Sequence, residues 1–289
     1  MKRIRSPSPV TSSKTASNSQ HQAKKTHAVE SPFPNFAHPT LAEAYEVHQI
    51  LSRAHPAHGA VRRPPTTSRN SAQTCGNVPN VVEALIGVIL SQNTSGRNSA
   101  SAKTSLDAAF GRNNFAAIAS APRADVVEAI RHGGLANKKA ATIQNILTSI
   151  KEKHGEYSLQ HLAETDAPKR MSDEAIMQEL ISYDGVGPKT ASCVLLFCLG
   201  RDSFAVDTHV YRLSKLLGWV PEKADRVRAQ AHLDLRISAE LKYGLHVLMM
   251  QHGRSCKGCK KTGTEAACVL KAHLQERRCA QDSAGRQGL

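Results

Sequence analysis

The stretch from Ser172 to Leu199 decides the fold, and it reads SDEAIMQELISYDGVGPKTASCVLLFCL. Ser172 or Asp173 can begin a helix, because the side chains of both residue types accept hydrogen bonds from the free N–H groups of a first helical turn. The sequence Asp184-Gly185-Val186-Gly187 predicts a tight turn in which the glycines permit positive φ. Pro188 suits the first position of a second helix. The stretch therefore predicts two helices joined by a glycine hairpin.

This hairpin leaves backbone N–H groups free at the start of its second helix, with no bulky side chain in front of them. Such a helix start binds phosphate through hydrogen bonds and the helix dipole. It would hold a nucleic-acid backbone without reading bases. An ordinary α-hairpin with a glycine turn has the same local sequence, so the hairpin alone leaves a structural and a DNA-binding role open.

A lysine and an aspartate close to the hairpin favour chemistry. Lys189 lies in the first turn of the second helix, where the helix dipole disfavours a cation. We expect this field to lower the pKa of Lys189 and so to favour the neutral, nucleophilic amine. Asp207 follows in the segment FAVDTHV, directly before another predicted helix, where Asp is also a common N-cap. An amine and a carboxylate beside a phosphate-binding turn favour a catalytic pair over a cap alone.

Composition points to a polyanionic partner. The chain has 289 residues, with 38 Lys and Arg against 24 Asp and Glu, and a formal net charge of +14. An excess of this size is typical of proteins that bind nucleic acid. The longest apolar stretch, Ala191 to Leu199, is too short to cross a bilayer, so we expect no membrane association. The seven cysteines do not form the disulfide pattern of a small secreted protein.

The N-terminal segment, residues 1–37, is predicted to be a disordered basic tail, since it is rich in Ser and Thr and poor in large apolar residues. Its basic groups Lys2-Arg3-Ile4-Arg5 and Lys24-Lys25 favour import into the nucleus. A mitochondrial transit peptide is the second interpretation, although Pro7 and Pro9 would interrupt its helix. A solvated tail without a targeting role is the third.

Downstream of the tail, helical periodicity recurs from Leu41 to residue 252, and no strand-like alternation of useful length appears. We therefore predict an all-α protein. Four motifs in order resemble the helix-hairpin-helix-GPD DNA glycosylases, and most of all their endonuclease III branch. They are LIGVILSQNT (85–94), GLANKKAATI (134–143), GVGPKTA (185–191) followed by AVDTHV (205–210), and HGR (252–254).

The resemblance implies a base-excision-repair enzyme that flips a damaged base out of duplex DNA and cuts its N-glycosidic bond. Oxidised pyrimidines are the usual substrates of the branch. Lys189 would attack the sugar C1′ and form a Schiff base, from which β-elimination nicks the strand, and Asp207 would stabilise the developing positive charge. The hairpin residues Gly185 to Gly187 and Thr190 would bind DNA, and Gln92 would fill the space of the flipped nucleotide.

Three alternatives remain open at this point. The first is a non-catalytic helix-hairpin-helix protein that binds DNA. The second is a glycosylase specialised for another modified base, and the third is a DNA-binding protein that senses metal or redox state. Lys138 and Lys139 are basic residues within reach of DNA, but a solvated face explains them better.

The resemblance also implies the architecture, which is a two-domain all-α fold with the DNA cleft between the domains. Residues 92–202 would form one helical domain that ends in the hairpin. Residues 38–91 and 203–289 would form the other, with Lys189 and Asp207 facing each other across the cleft. The family leads us to expect a monomer that binds double-stranded DNA.

The C-terminal cysteines depart from the family. The endonuclease III branch usually holds a [4Fe–4S] cluster with the spacing C-x6-C-x2-C-x5-C, whereas Cys256, Cys259, Cys268 and Cys279 have the spacing C-x2-C-x8-C-x10-C. These four are the candidate metal ligands, for a cluster or for zinc with His273 or Cys279 as the fourth ligand. A third interpretation is that the thiols are free. We expect loss or altered metal binding rather than an intact cluster.

Overall fold

A computed structural model describes residues 30–58, 61–259 and 267–287, and within these ranges it contains helices and no β-strand. The all-α prediction is confirmed. Residues 1–29, with the basic groups considered for targeting, lie outside the described ranges. The helices are α1 (Leu41–Ala54), α2 (Val81–Leu90), α3 (Gly96–Phe110), α4 (Phe115–Ser120), α5 (Arg123–Ala129), α6 (Ala136–His154), α7 (Asp173–Ser182), α8 (Pro188–Cys193), α9 (Thr208–Leu216), α10 (Arg226–Arg236), α11 (Ala239–Ser255) and α12 (Val269–Gln287).

The first hydrophobic core is built around α2, all ten of whose residues are buried. Helices α3 to α8 surround it, together with the π-helical turn Val194–Cys198 that continues α8. The one acidic residue of α2, Glu83, is paired inside the core with Lys103 at 3.2 Å and with Arg112 at 2.9 Å. Because a buried unpaired carboxylate is costly, these partners are what allow a charged residue at the centre of the fold.

The second core combines the two ends of the described chain. It contains apolar residues of α1, α9, α10 and α11, with Cys259, Cys268 and Leu270 from the segment around the start of α12. Trp219, the only tryptophan of the chain, is buried in it. Thr40 begins α1 with a reciprocal capping box: its hydroxyl accepts from the Glu43 N–H, and the Glu43 carboxylate accepts from the Thr40 N–H.

The boundary between the cores differs from the sequence-based division in one segment. The sequence division placed residues 38–91 together, but Ala72, Val78 and the whole of α2 pack in the first core, whereas α1 packs in the second. The physical reason is the apolar character of α2 on all sides, which requires that neighbours surround it. A helix of this kind belongs at the centre of a core and not at a domain edge.

Part of the predicted tail is ordered against the second core. Phe33 packs on α10, where the Arg228 guanidinium lies 4.6 Å from its ring centroid. Ser31 Oγ lies 2.7 Å from Nδ1 of the buried His232. The prediction of disorder is therefore wrong for residues 30–37, because Phe33 and Phe36 both pack on His232 and several hydrogen bonds to α10 anchor this short segment. Among the described helices, none combines the length and the apolar content that a membrane span requires.

Candidate active site

A cavity of about 440 Å³ lies where the two cores meet. Lys189 and Asp207 both line it, one from the hairpin side and the other from the start of α9, and both are half-buried. Of the predicted DNA-binding residues, Gln92, Gly185, Gly187 and Thr190 also line the cavity. Val186 does not line it, because its side chain is fully buried in the first core.

The hairpin has the local structure that its sequence predicts. Ser172, not Asp173, is the N-cap of α7 and accepts from the Ala175 N–H at 3.2 Å. Gly185 adopts φ +86°, and a Cβ at this position would lie 2.5 Å from Cγ2 of Thr142 on α6. Glycine is therefore required at residue 185 both by its backbone conformation and by the close approach of α6.

The second glycine of the hairpin has a different environment. Gly187 is the N-cap of α8 with an extended backbone, and among the described atoms nothing lies within 4 Å of a Cβ built on it. Pro188 follows as the first helical residue. Residues 187–190 all line the cavity, so the start of α8 borders open space, which is the arrangement that a phosphate-binding helix start needs.

Lys189 interacts with two thiols and one carboxylate. Burial lowers the pKa of Lys189, but Cys193, Cys75 and Asp207 outweigh burial, so that the pKa lies above its ordinary value. Burial also raises the pKa of the Cys193 thiol to about 11, which leaves that thiol neutral at pH 7. The sequence-based expectation of a lowered pKa is wrong, because it considered the helix dipole without the Cys193 and Cys75 thiols and the Asp207 carboxylate around the amine.

Asp207 has two roles in the structure. Its Oδ1 accepts from the N–H groups of His209 and Val210, each at 2.8 Å, and so caps α9. Burial raises the pKa of the Asp207 carboxyl, but His246, the Val210 N–H and Lys189 outweigh burial and leave the pKa below its ordinary value. Asp207 is therefore an anion at neutral pH, with one oxygen fixed by the cap and the carboxylate at the cavity wall.

A buried polar network, missed by sequence reasoning, fixes the segment that carries Asp207. Gln230 on α10 donates from Nε2 to Ser192 Oγ at 2.9 Å and accepts the Val206 N–H on Oε1 at 3.0 Å. Ser203 Oγ donates to Ser192 Oγ at 2.8 Å. Ser192 lies three residues after Lys189, and Val206 lies directly before Asp207. The network therefore ties the backbone of the carboxylate to the helix of the amine.

Gln92 and Lys139 are connected through the end of α2. The side chain of Gln92 donates to Thr190 Oγ1 at 3.2 Å, next to the hairpin. Lys139 is buried, and its ammonium donates to the Leu90 carbonyl at 2.7 Å and to the Gly133 carbonyl at 2.8 Å. Burial lowers the pKa of Lys139 to about 8. The prediction that Lys139 lies on a solvated helix face is therefore wrong. Its hydrogen bond to the Leu90 carbonyl holds the backbone two residues before Gln92.

The C-terminal cysteines contain a candidate metal centre with a different fourth ligand from the predicted one. His252, Cys256, Cys259 and Cys268 each place a ligand atom within 4.8 Å of the others. Cys279 is exposed on α12, outside this group, and His273 lies instead 3.6 Å from Glu46. The inclusion of Cys279 is therefore wrong, because the direction of α12 carries it away from the other thiols. His252 and Cys256 are one helical turn apart, and that spacing was the available signal.

Known proteins are similar to this chain in sequence and in fold. The family model described as "HhH-GPD superfamily base excision DNA repair protein" matches residues 86–237. The "Putative DNA glycosylase At3g47830" of Arabidopsis thaliana is 36% identical over 86% of this chain and 86% of its own length. The Endonuclease III of Sulfolobus acidocaldarius is 31% identical over 71% of this chain and 86% of its own. An Endonuclease III solved in a non-covalent complex with DNA has the same fold, with a TM-score of 0.61 at 22% identity over 80% of this chain and 94% of that one.

Proposed function

The chain is an endonuclease III-like DNA glycosylase of the HhH-GPD superfamily of base excision DNA repair proteins, and we propose that it is bifunctional, excising an oxidised base from duplex DNA and then nicking the abasic site. The observation that carries the proposal is that Lys189 and Asp207 line one cavity beside the open start of α8. Neither residue type is needed for holding phosphate, so a binding-only role would leave this pair unexplained.

Recognition begins at the DNA backbone. The N–H groups at the start of α8 hydrogen-bond one phosphate, and the net charge of the chain attracts the duplex. The cavity then receives the damaged nucleotide, turned out of the stack. Gln92 occupies the gap that this nucleotide leaves, supported by its hydrogen bond with Thr190.

Base release requires that the Lys189 ammonium first loses its proton. Asp207 is an anion beside the ammonium, and we assign to it the acceptance of that proton when the substrate displaces water. The neutral Nζ attacks C1′ of the deoxyribose, the N-glycosidic bond breaks, and the base leaves with its bonding electron pair and takes up a proton. Asp207, which has accepted the proton of Lys189, passes it to the leaving base, and the carboxylate that it regains offsets the positive charge that develops on the sugar.

Strand cleavage follows from the covalent product. The sugar ring opens to give a Schiff base between C1′ and Lys189. The iminium makes the C2′ proton acidic, and loss of that proton breaks the C3′–O bond by β-elimination. Hydrolysis then releases the lysine. An oxidised pyrimidine is the proposed substrate because the motifs of this chain resemble those of the endonuclease III branch, whose usual substrates are oxidised pyrimidines.

Borohydride trapping tests the proposal directly. The full chain is incubated with duplexes that carry a single oxidised pyrimidine or an abasic site, and sodium borohydride reduces any Schiff base to a stable protein–DNA adduct. We expect an adduct with the wild type and with Lys169→Gln, whose side chain is exposed and outside the cavity. Lys189→Gln should abolish the adduct while DNA affinity persists.

Three outcomes would contradict the proposal in whole or in part. An adduct of equal yield with Lys189→Gln would remove the lysine assignment. Base release by the wild type without any adduct or nick would mean that water, not Lys189, attacks the sugar. An adduct with the abasic duplex alone would retain the lyase and refute the choice of an oxidised pyrimidine.

A further inference from the structure

Four ligand atoms converge at the point where α11 ends and α12 begins. His252 lies in the last turn of α11, Cys256 follows that helix, Cys259 ends the 3₁₀ turn after it, and Cys268 directly precedes α12. We infer that these four residues bind one zinc ion in tetrahedral coordination, in place of the iron–sulfur cluster of the endonuclease III branch.

The distances between the ligand atoms fit a single ion. Nε2 of His252 lies 3.3 Å from the Cys259 sulfur and 3.6 Å from the Cys268 sulfur, and the two sulfurs are 3.0 Å apart. A tetrahedral zinc with bonds of about 2.3 Å to sulfur and about 2.0 Å to nitrogen separates its ligands by roughly 3.5–3.8 Å. The two distances from the imidazole lie within about 0.3 Å of this geometry, the two sulfurs would move apart by about 0.8 Å, and the Cys256 sulfur lies within 4.8 Å of the other three atoms.

The same distances do not fit a [4Fe–4S] cluster. In such a cluster each protein ligand binds a different iron, so the ligands surround a cube of eight atoms and stand further apart than they do around one ion. Here all four ligand atoms lie within 4.8 Å of one another. A Cys3His set with a C-x2-C pair is, in addition, a common structural zinc set.

The orientation of His252 supports metal ligation. Its Nε2 faces the sulfurs, while its Nδ1 lies 2.9 Å from Nε2 of His55, just after the end of α1. A metal-bound imidazole usually donates its second N–H to a fixed acceptor, which sets the tautomer and the ring direction. His55 provides that acceptor.

A disulfide does not explain the cluster. All seven cysteines, each of them in the described part of the chain, are free thiols. The Cys259 and Cys268 sulfurs are 3.0 Å apart, well beyond a covalent S–S bond of about 2.05 Å. A disulfide between Cys259 and Cys268 would also leave unexplained why Cys256 and His252 place their side chains beside the same two sulfurs.

The ion would fasten helices that are far apart in sequence. It joins the end of α11 to the start of α12, and through His55 it reaches α1. Gly253, next to His252, approaches His209 so closely that a Cβ would lie 2.7 Å from it, and Gly253 accepts from Arg212 at 3.0 Å. Both partners are on α9, whose N-cap is Asp207, so the ion would also support that helix.

Metal analysis of the purified full chain tests this inference. We expect about one zinc per chain, no iron, no acid-labile sulfide and no broad visible absorption. Replacement of zinc by Co²⁺ should give the absorption bands of a tetrahedral thiolate site. A strong chelator should lower the Tm, and Zn²⁺, but not Mg²⁺, should restore it.

Variants identify the ligands. Cys268→Ser should lose bound zinc, whereas Cys279→Ser should retain it. His55→Ala should weaken zinc affinity about 10–100-fold in competition with a chelator, since it removes only the acceptor for His252. His252→Cys keeps four ligands and should still bind zinc, which guards against a variant that simply fails to fold.

The inference would be overturned by iron and sulfide in the wild type, by a metal-free chain with a Cys259–Cys268 disulfide in its mass spectrum, or by zinc that Cys279→Ser loses and Cys268→Ser keeps. If the wild-type chain bound one zinc but excised no base, only the proposed enzymatic activity would be refuted. The two proposals therefore fail separately.

Discussion

Replacing Gln230 by Met should slow the chemistry more than it weakens DNA binding. The change conserves volume and removes both polar contacts of this buried side chain. The Val206 N–H would be left unpaired in the interior, at about 1–3 kcal/mol, and the lost bond to Ser192 adds about 0.5–1.5 kcal/mol. The expected loss of unfolding free energy is therefore about 2–4 kcal/mol.

The functional consequence follows from the position of Val206 next to Asp207. If the backbone here shifts by about 1 Å, the carboxylate moves relative to Lys189, and misplacement of this size reduces rates up to about 10²-fold. Single-turnover base excision at saturating enzyme should fall about 10–100-fold, with duplex affinity changed less than threefold. Ser192→Ala leaves the donors of Gln230 and Ser203 unpaired, and its excision rate should lie between those of the wild type and Gln230→Met.

A matched control is available in the first core. Gln144 is also buried, and its Nε2 donates to the Ile118 and Ala121 carbonyls, both at 2.9 Å, away from the cavity. Gln144→Met should lose comparable stability in urea denaturation but retain the wild-type excision rate below its Tm. Equal excision rates for Gln230→Met and Gln144→Met would refute the positioning role of Gln230.

Other expected outcomes concern single contacts. Gly185→Ala should lose about 2–4 kcal/mol of unfolding free energy in urea denaturation, because residue 185 has a positive φ and a Cβ there would clash with Thr142. Adding Thr142→Ala to this variant should recover only the part of the loss that comes from the clash. Strictly additive effects of the two substitutions would argue against the contact. Lys139→Met should cost about 1–3 kcal/mol, against less than about 0.5 kcal/mol for the exposed Lys138→Met, and equal losses would place Lys139 outside the core. Asp207→Asn should keep the helix cap and lose base excision. Asp207→Ala should also lose the cap, and its unfolding free energy should be about 1 kcal/mol lower than that of Asp207→Asn. Because the folded pKa of Asp207 lies below 3.8, the stability from its charge should be present at pH 6 and should disappear as the pH falls through the folded pKa. The Tm values of the wild type and Asp207→Asn should therefore converge in acid. A Tm difference that stays constant with pH would contradict this.

The features that the sequence predicts well are local. Ser172 begins α7, Gly185 turns the hairpin and Pro188 starts α8, because each depends on backbone groups only a few residues away. Asp207 was recognised as both cap and catalytic candidate for the same reason. Such contacts are encoded by residue type and short spacing, without knowledge of tertiary packing.

The features that the sequence did not reveal depend on distant partners. The choice of Lys139 over Lys138 as the buried lysine follows from the carbonyl of Leu90, 49 positions earlier. Lys139 does share a helix face with Ile143, and that spacing was a usable signal. Gln230 lies between alanines in α10, and its role is visible only once Val206 is placed beside it. The raised pKa of Lys189 likewise required the locations of Cys193, Cys75 and Asp207.

The openness around Gly187 has a consequence for how sequence variants of this protein would be classified. Its extended backbone suits any L-amino acid, and nearby atoms of the described chain leave room for a side chain. A library sorted only for cellular abundance should therefore accept many replacements at this codon, while one sorted for survival under genotoxic stress should reject them. At Gly185 both sorts should reject replacements, so codons 185 and 187 together separate damage to the scaffold from damage to repair.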